Sequence, residues 1–239
     1  MNEKVVILTG AGISAESGLR TFRDQNGLWE DHSIEEVATY DAFIKNPELV
    51  HRFYNARRAQ LISDEVSPNP AHAAIQRLFE ALGPDRFFLV TQNVDDLHDR
   101  VGTPCVHMHG ELLKGRCEAC NSVFDLHDPL STESVCFKCK EKGLLRPHIV
   151  WFGEIPFNME LIYSQLSESD LFISIGTSGL VYPAAQFVRE AKNVGGARCI
   201  EFNTENTPIS IEFDESIEGP AGETLPGWVD HFLKQRGLL

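Results

Sequence analysis

The sequence predicts a Rossmann-type α/β fold: a doubly wound parallel sheet with helices on both faces and a small inserted lobe. Three observations carry this. Val5-Val6-Ile7-Leu8 is apolar on both faces, as a central parallel strand must be, and it runs straight into glycines. Runs of the same kind recur at Phe87-Phe88-Leu89-Val90, Leu171-Phe172-Ile173-Ser174-Ile175 and Cys199-Ile200-Glu201-Phe202. Helical patterns alternate with them, at Ala71 to Leu82 and Tyr182 to Lys192.

Two stretches break that rhythm. Ile34 to Ser67 is helical and contains FYNARRAQL, and Arg116 to Gly143 holds four paired cysteines. Neither supplies a long apolar strand, so both read as insertions forming a smaller lobe over the carboxyl edge of the sheet. The expected division gives residues 1–33, 68–115 and 144–239 to the large domain, and residues 34–67 and 116–143 to a helical module plus a metal-binding module. In the tail, Trp228, Phe232 and Leu233 share helical spacing and are expected to pack on the core.

At 239 residues and 42% hydrophobic, the chain can bury a substantial core. No run approaches the apolar length needed to span a bilayer, and the opening MNEKVVILTGAG lacks a secretory pattern. A formal charge of -14 disfavours phosphate backbones and favours basic partners, so nucleic acid is not the expected ligand. Six cysteines arranged as two CxxC pairs plus Cys105 and Cys199 suit metal in a reducing compartment, hence the cytoplasm, better than a disulfide framework. Cys105 and Cys199 sit in apolar surroundings and are expected to be inert.

Four motifs carry chemistry. Gly10, Gly12 and Ala15 satisfy the G-x-G-x-x-G/A spacing directly after the first strand, where glycines let the backbone approach a pyrophosphate at the next helix's N-terminus. The acidic residue that would end a second strand some twenty positions on is missing, which separates this turn from a simple hydride-transfer fingerprint. TQNVDDLH, Thr91 to His98, follows a strand and offers amide and carboxylate groups to a ribose and a carboxamide, though such a cluster also caps helices. HMHGE places His107 and His109 before Gly110, where an imidazole can serve as a general base near neutral pH. Cys117, Cys120, Cys136 and Cys139 form CxxC, fifteen residues, CxxC, the spacing of a zinc ribbon. Four thiolates close a tetrahedral shell, so this zinc would be structural.

Taken in order, GAGISAESGLRTFR, TQNVDDLH, HMHGEL, the two CxxC pairs, RPHIVWFGE, IGTSGLVYPA and EFN resemble the sirtuin family over nearly the whole chain. The resemblance implies NAD as co-substrate and acylated lysine side chains of proteins as substrate; it leaves the oligomeric state open. It assigns Gly10, Ala11, Gly12 and Ser14 to the NAD phosphates, and Phe22 and Arg23 to a mobile cofactor loop. Gln92, Asn93 and Asp95 would surround the nicotinamide ribose and carboxamide. Gly176, Thr177, Ser178 and Asn203 would meet the phosphates and the adenosine end, with Ala221 near the adenine. His109 would be the general base and His107 structural. Val150, Trp151, Phe152, Gly153 and Glu154 would pair main chain to main chain with an extended substrate peptide.

In the reaction so implied, the acyl-lysine carbonyl oxygen displaces nicotinamide and the histidine accepts a proton from the ribose hydroxyls. Water then releases lysine and an O-acyl-ADP-ribose. Two features depart from the common pattern. Arg20-Thr21-Phe22-Arg23 stands where many sirtuins read PDFR. Tyr54 and Arg57, three apart on one helix face, match the YxxR pair of the subgroup that removes acidic acyl groups, and the guanidinium would hold the distal carboxylate. The expectation is therefore removal of succinyl and malonyl as well as acetyl groups, against a reading in which Arg52, Arg57 and Arg58 form a solvated face. Protein mono-ADP-ribosylation, a zinc-ribbon scaffold without catalysis and a dehydrogenase are the competing readings.

Overall fold

A strand that is apolar on both sides must be covered on both, and the chain supplies the covers in sequence. The structure, a computed structural model, describes residues 3–19 and 32–239. β1 (Val5–Thr9) is buried throughout and leads into a 3-10 segment, Ala11–Ser17. α1 (Ile34–Val37), α2 (Tyr40–Lys45) and α3 (Pro47–Leu61) follow, then α4 (Pro70–Leu82), β2 (Phe87–Thr91), α5 (Leu97–Arg100) and the short β3 (Val106–His107). Next come β4 (Gly110–Cys117), β5 (Val123–Asp125) and β6 (Leu145–Ile149). The described chain closes with α6 (Met159–Ser167), β7 (Leu171–Ile175), α7 (Phe187–Glu190), β8 (Arg198–Asn203), β9 (Glu215–Glu218) and α8 (Ala221–Gln235).

Local chemistry sets the helix starts. Asn46 caps α3 by accepting from the Leu49 amide, and Asn69 caps α4, each just ahead of a proline whose missing N–H is no loss in the first turn. The expected helix from Tyr182 starts later, because the residue before Pro183 is disfavoured in the helical region. A 3-10 turn, Ala184–Gln186, leads into α7 and then a π turn, Ala191–Gly195.

The large sheet has the order β3-β2-β1-β7-β8-β9, with every pairing parallel. The chain leaves β1 for β2 on one side and later returns to β7 on the other. The carboxyl end of β1 is thus the switch point, where an open α/β sheet presents its ligand crevice. α4 and α8 cover one face, through Ile75, Leu78, Leu225, Val229, Phe232 and Leu233. α6 and α7 cover the other, through Ile162, Leu166, Phe187 and Val188. Trp228 packs on the first core with its ring 5.6 Å from Phe202, as the tail pattern predicts.

A second sheet, β5-β4-β6, is antiparallel. Residues 110–117 and 145–149 therefore pair with each other and not with the large sheet, although residues up to 115 and from 144 were expected in the large domain. The sequence shows the four cysteines but not that the strands carrying them extend past them. Among the described residues no helix is long and apolar enough to cross a membrane.

Gly176 locks the switch point. It has φ +62, and a Cβ on it would lie 2.5 Å from the Ile13 nitrogen and 2.7 Å from Gly12. Both obstacles are backbone, so neither can swing aside. Gly176→Ala is expected to cost about 3 kcal/mol, a Tm fall of about 6–12 °C measured by calorimetry.

Candidate active site and metal centre

The loops after β1, β2, β7 and β8 meet at the switch point. The Gly10 amide donates to the Ile175 carbonyl and the Gly12 amide to the Gly176 carbonyl, both at 2.9 Å. A Cβ at Gly10 or Gly12 would come within 2.7 Å of Gly176 backbone atoms. These glycines are thus required by loop-against-loop packing, a cause that the fingerprint spacing does not reveal. The helix that follows the first strand, Ala11–Ser17, is of the 3-10 type.

Ser14, Asn93 and Asp95 interlock beneath these loops. Asn93 donates its side-chain amide to the Gly10 carbonyl at 3.1 Å and to Ser14 Oγ at 3.0 Å, and Ser14 donates to Asp95 Oδ2 at 3.0 Å. Burial pushes the Asp95 carboxyl up, while bonds from the Leu97 amide and Ser14 pull it back. Across the crevice, Thr177 is buried against Ser174, and Ser178 Oγ accepts from the Leu180 amide. Asn203 donates to the Thr177 carbonyl at 2.8 Å and accepts from the Thr204 amide. Ala221 opens α8 beside them: the Gly219 amide bonds the Asn203 carbonyl, and the Gly222 amide bonds Glu16 of the 3-10 segment. Phe22 and Arg23 lie outside the described residues.

His109 stands on the turn between β3 and β4. Its Nδ1 is 3.0 Å from the Gln92 carbonyl oxygen, which can only accept, so the neutral ring carries its proton on Nδ1 and keeps the Nε2 lone pair open. Burial, only partly offset by the Gln92 bond, lowers its pKa. Its backbone carbonyl accepts from the Val150 amide at 2.9 Å, tying the histidine to the strap that follows β6. Gly110 permits this: at φ +80, a Cβ there would sit 2.0 Å from the His148 carbonyl oxygen. His107 is held differently, with Nε2 3.0 Å from Asp99 Oδ2. Burial alone would lower its pKa, but the Asp99 bond and charge raise it overall.

The strap Val150 to Glu154 is anchored inward. Trp151 is 2% exposed; its backbone N–H donates to Glu154 Oε2 and its indole N–H donates to Tyr54 Oη at 2.9 Å. The Phe152 amide bonds the Ala38 carbonyl, and the Glu154 amide bonds the Trp151 carbonyl. The amides of 150, 151, 152 and 154 are therefore engaged within the chain. Phe152 is exposed, and Gly153, at φ +88, has open space around its Cα.

Tyr54 is buried on α3, and burial pushes its phenol above the usual range, so it stays neutral. Arg57, one turn on, lies with its guanidinium carbon 5.7 Å from the Phe53 ring centroid. Arg58 does not share a solvated face: it is 2% exposed and donates to the Leu112 carbonyl and to Asn55, and desolvation lowers its pKa to about 10.

The motif reading missed Arg146. This residue has no exposure, forks onto both oxygens of Glu154 at 2.7 and 2.9 Å, and lays its guanidinium 3.2 Å from the Trp151 ring centroid. The signal available was an arginine opening RPHIVWFGE with a glutamate eight residues on, but sequence alone does not distinguish a buried fork from two surface charges.

The four paired cysteines converge, with all Sγ atoms within 4.8 Å of one another. Cys117 and Cys139 are 3.6 Å apart, Cys120 and Cys136 3.8 Å. A tetrahedral shell with Zn–S bonds of about 2.3 Å has edges of about 3.8 Å, so the thiols fit a structural zinc ion. Cys199 is buried, and burial raises both its thiol and that of Cys105.

The model of the Sir2 family matches residues 10–183. The chain belongs to the Sir2 family. An NAD-dependent protein deacylase of Salmonella typhimurium is 54% identical over 98% of this chain and 85% of its own length. One of Pasteurella multocida is 53% identical over 96% and 98%. A solved Sir2 homologue in complex with NAD superposes with a TM-score of 0.87 at 38% identity, covering 99% of this chain and 91% of the other. Sir2Af2 bound to a myristoylated histone peptide gives 0.76 at 31%, covering 98% and 92%. The sheet order and the separate antiparallel sheet described above are thus a Sir2 fold.

Two outcomes follow for this Sir2 chain. Metal analysis should find about one zinc per chain, and Cys136→Ser should abolish it and unfold the small sheet in hydrogen exchange. If His109 works as a base, its lowered pKa keeps it active from neutral pH upward. A rate profile should then lose activity only on the acid side, below the ordinary histidine value of about 6.5, and His109→Ala should lose about 10²- to 10⁴-fold in kcat.

Proposed function

We propose that this chain is an NAD-dependent protein lysine deacylase that removes succinyl and malonyl as well as acetyl groups, releasing nicotinamide and an O-acyl-ADP-ribose. The observation that carries the proposal is the 3.0 Å contact between the Gln92 carbonyl oxygen and Nδ1 of His109. Its Nδ1–H is committed to the Gln92 carbonyl, and its Nε2 is left as a base beside the loop of Gln92, Asn93 and Asp95. In this reading that loop holds the nicotinamide ribose and carboxamide. Gly10, Ala11, Gly12, Ser14, Gly176, Thr177, Ser178, Asn203 and Ala221 hold the phosphates and adenosine, and His109 takes a proton from the ribose hydroxyls. Support comes from the relatives named NAD-dependent protein deacylase and from the Sir2 homologue solved with NAD.

The acyl preference rests on α3. Tyr54 and Arg57 lie one turn apart, with Tyr54 fixed by Trp151, and together they offer a neutral O–H and a guanidinium to a distal carboxylate. The acylated lysine would enter on an extended segment along Phe152 and Gly153, the part of the strap that faces outward. A cytoplasmic setting agrees with the unpaired cysteines.

The test is nicotinamide release and product mass on one peptide carrying acetyl-, succinyl- or malonyl-lysine. Wild type is expected to act on all three, and Arg57→Met to lower the succinyl-to-acetyl ratio of kcat/KM by about 10- to 100-fold. A wild type inert on succinyl-lysine, or equal losses in the variant, would overturn the acyl assignment. A product heavier by ADP-ribose would instead make the chain a mono-ADP-ribosyltransferase.

A further inference from the structure

Two histidines outside the proposed chemistry lie beneath the site. His72, in the first turn of α4, and His98, in α5, are both buried, with ring centroids 4.9 Å apart and planes inclined by 53°. Burial holds both below the usual histidine range, His72 at about 4. A neutral imidazole has one N–H and one bare nitrogen, and its hydrogen bonds decide which is which.

At His72 the decision is made by Asn69, whose backbone N–H donates to Nδ1 at 3.3 Å; the ring proton must then sit on Nε2. At His98 it is made by two threonines that face each other at the ends of β1 and β2. Thr91 Oγ1 accepts from the Asn93 amide at 3.0 Å and from Thr9 Oγ1 at 2.8 Å. A hydroxyl has a single proton, and Thr9 has spent it on Thr91. Thr9 Oγ1, 3.1 Å from His98 Nε2, must accept there, so His98 also carries its proton on Nε2. What remains in the pair is one donor, His72 Nε2–H, and one acceptor, His98 Nδ1. Both are buried, and neither has another partner. Buried orphans are costly separately and cancel when joined.

We propose that His72 Nε2–H donates to His98 Nδ1 through a small rotation of either ring, and that the two act as positioning residues for the Asn93 loop. The hydrogen bonds then run one way, from the Asn69 amide through His72, His98 and Thr9 to Thr91, whose oxygen also holds the Asn93 amide. Asn93 in turn fixes Gly10 and Ser14, so the chain ends on two loops of the crevice. The link to catalysis rests on the deacylase reading; the protonation pattern of the pair does not.

Nitrogen-15 imidazole NMR of the full chain, with assignments from His72→Phe and His98→Phe, tests the pair directly. Both rings are expected as neutral Nε2–H tautomers at pH 7; an Nδ1–H tautomer or a cation at either position overturns the inference, whether or not the protein deacylates. In kinetics, His98→Leu and Thr9→Val are each expected to lower kcat/KM for NAD by about 10- to 100-fold, with the double variant no worse than the weaker single. His98→Gln, whose amide can still donate to Thr9, should recover most of the loss. Additive losses, or a Gln variant as poor as the Leu variant, count against a positioning role. Should His98→Leu not fold, the wild-type tautomers still decide.

Discussion

The constraint on which the molecule depends is the close approach of two backbone turns. The turn after β1 and the turn after β7 pass so near that neither Gly10 nor Gly12 can carry a Cβ past Gly176, and Gly176 cannot carry one past Ile13. Parallel register brings the two strand ends level, Thr9 against Ile175, so the turns must occupy the same layer of space. Removing side chains there lets two amides find carbonyls across the gap, leaving a shallow floor where polar groups from β2 and β8 can converge. A ligand crevice at a switch point is usually explained by topology. Here topology supplies the place, and the missing Cβ atoms let the two turns share it.

The parts of the smaller lobe are held to one another by a few buried polar clasps. His51 of α3 bonds the Leu145 carbonyl, Asn55 bonds both backbone groups of Leu130, and Arg58 bonds the Leu112 carbonyl. Leu130 and Leu145 belong to the small core around the cysteines, and Leu112 to the core of the helical module. α3 therefore carries Tyr54 and Arg57 while its other residues grip the segments that lead into the metal-binding turns. Arg146, Trp151 and Glu154 add a further clasp: a buried guanidinium meets both carboxylate oxygens on one side and an indole face on the other. Removing Glu154 would leave the unexposed Arg146 guanidinium with only the more distant Glu118 carboxylate, 3.7 Å away, which costs more than the pair itself contributes.

How much was legible in the sequence follows from this. Val5 to Leu8 announces a central strand because burial on both faces leaves no polar alternation, and the cysteine spacing announces its cluster because few other arrangements use it. The helix over Ala71 to Leu82 was readable from its period, and Asn69 with Pro70 would have marked its start. The extent of the small sheet was not readable, since Gly110 to Arg116 alternates as well with one sheet as with another. Nor was the burial of Arg58 and Arg146: a charged residue in a sequence looks solvated until its carbonyl and carboxylate partners, brought from distant positions, are in place. The glycines at 10 and 12 were found for a reason that proved incomplete, since the same spacing serves a tight turn, a ligand or a neighbouring turn.

The two histidines of HMH show how finely partners divide one residue type. Position 107 faces a carboxylate and position 109 a carbonyl, and that difference outweighs their shared burial. Asp99 accepts a hydrogen bond and also rewards a positive charge, so His107 gains stability by holding a second proton. The Gln92 carbonyl accepts one proton and offers little to a cation, so burial prevails at His109 and the ring stays neutral. Exchanging the partners would put the raised pKa beside the crevice and favour the protonated imidazole, the form that has no lone pair to accept with. On the proposed reading, the division into base and support therefore resides in the Asp99 carboxylate and the Gln92 backbone carbonyl, both from the segment after β2, and not in the histidines themselves.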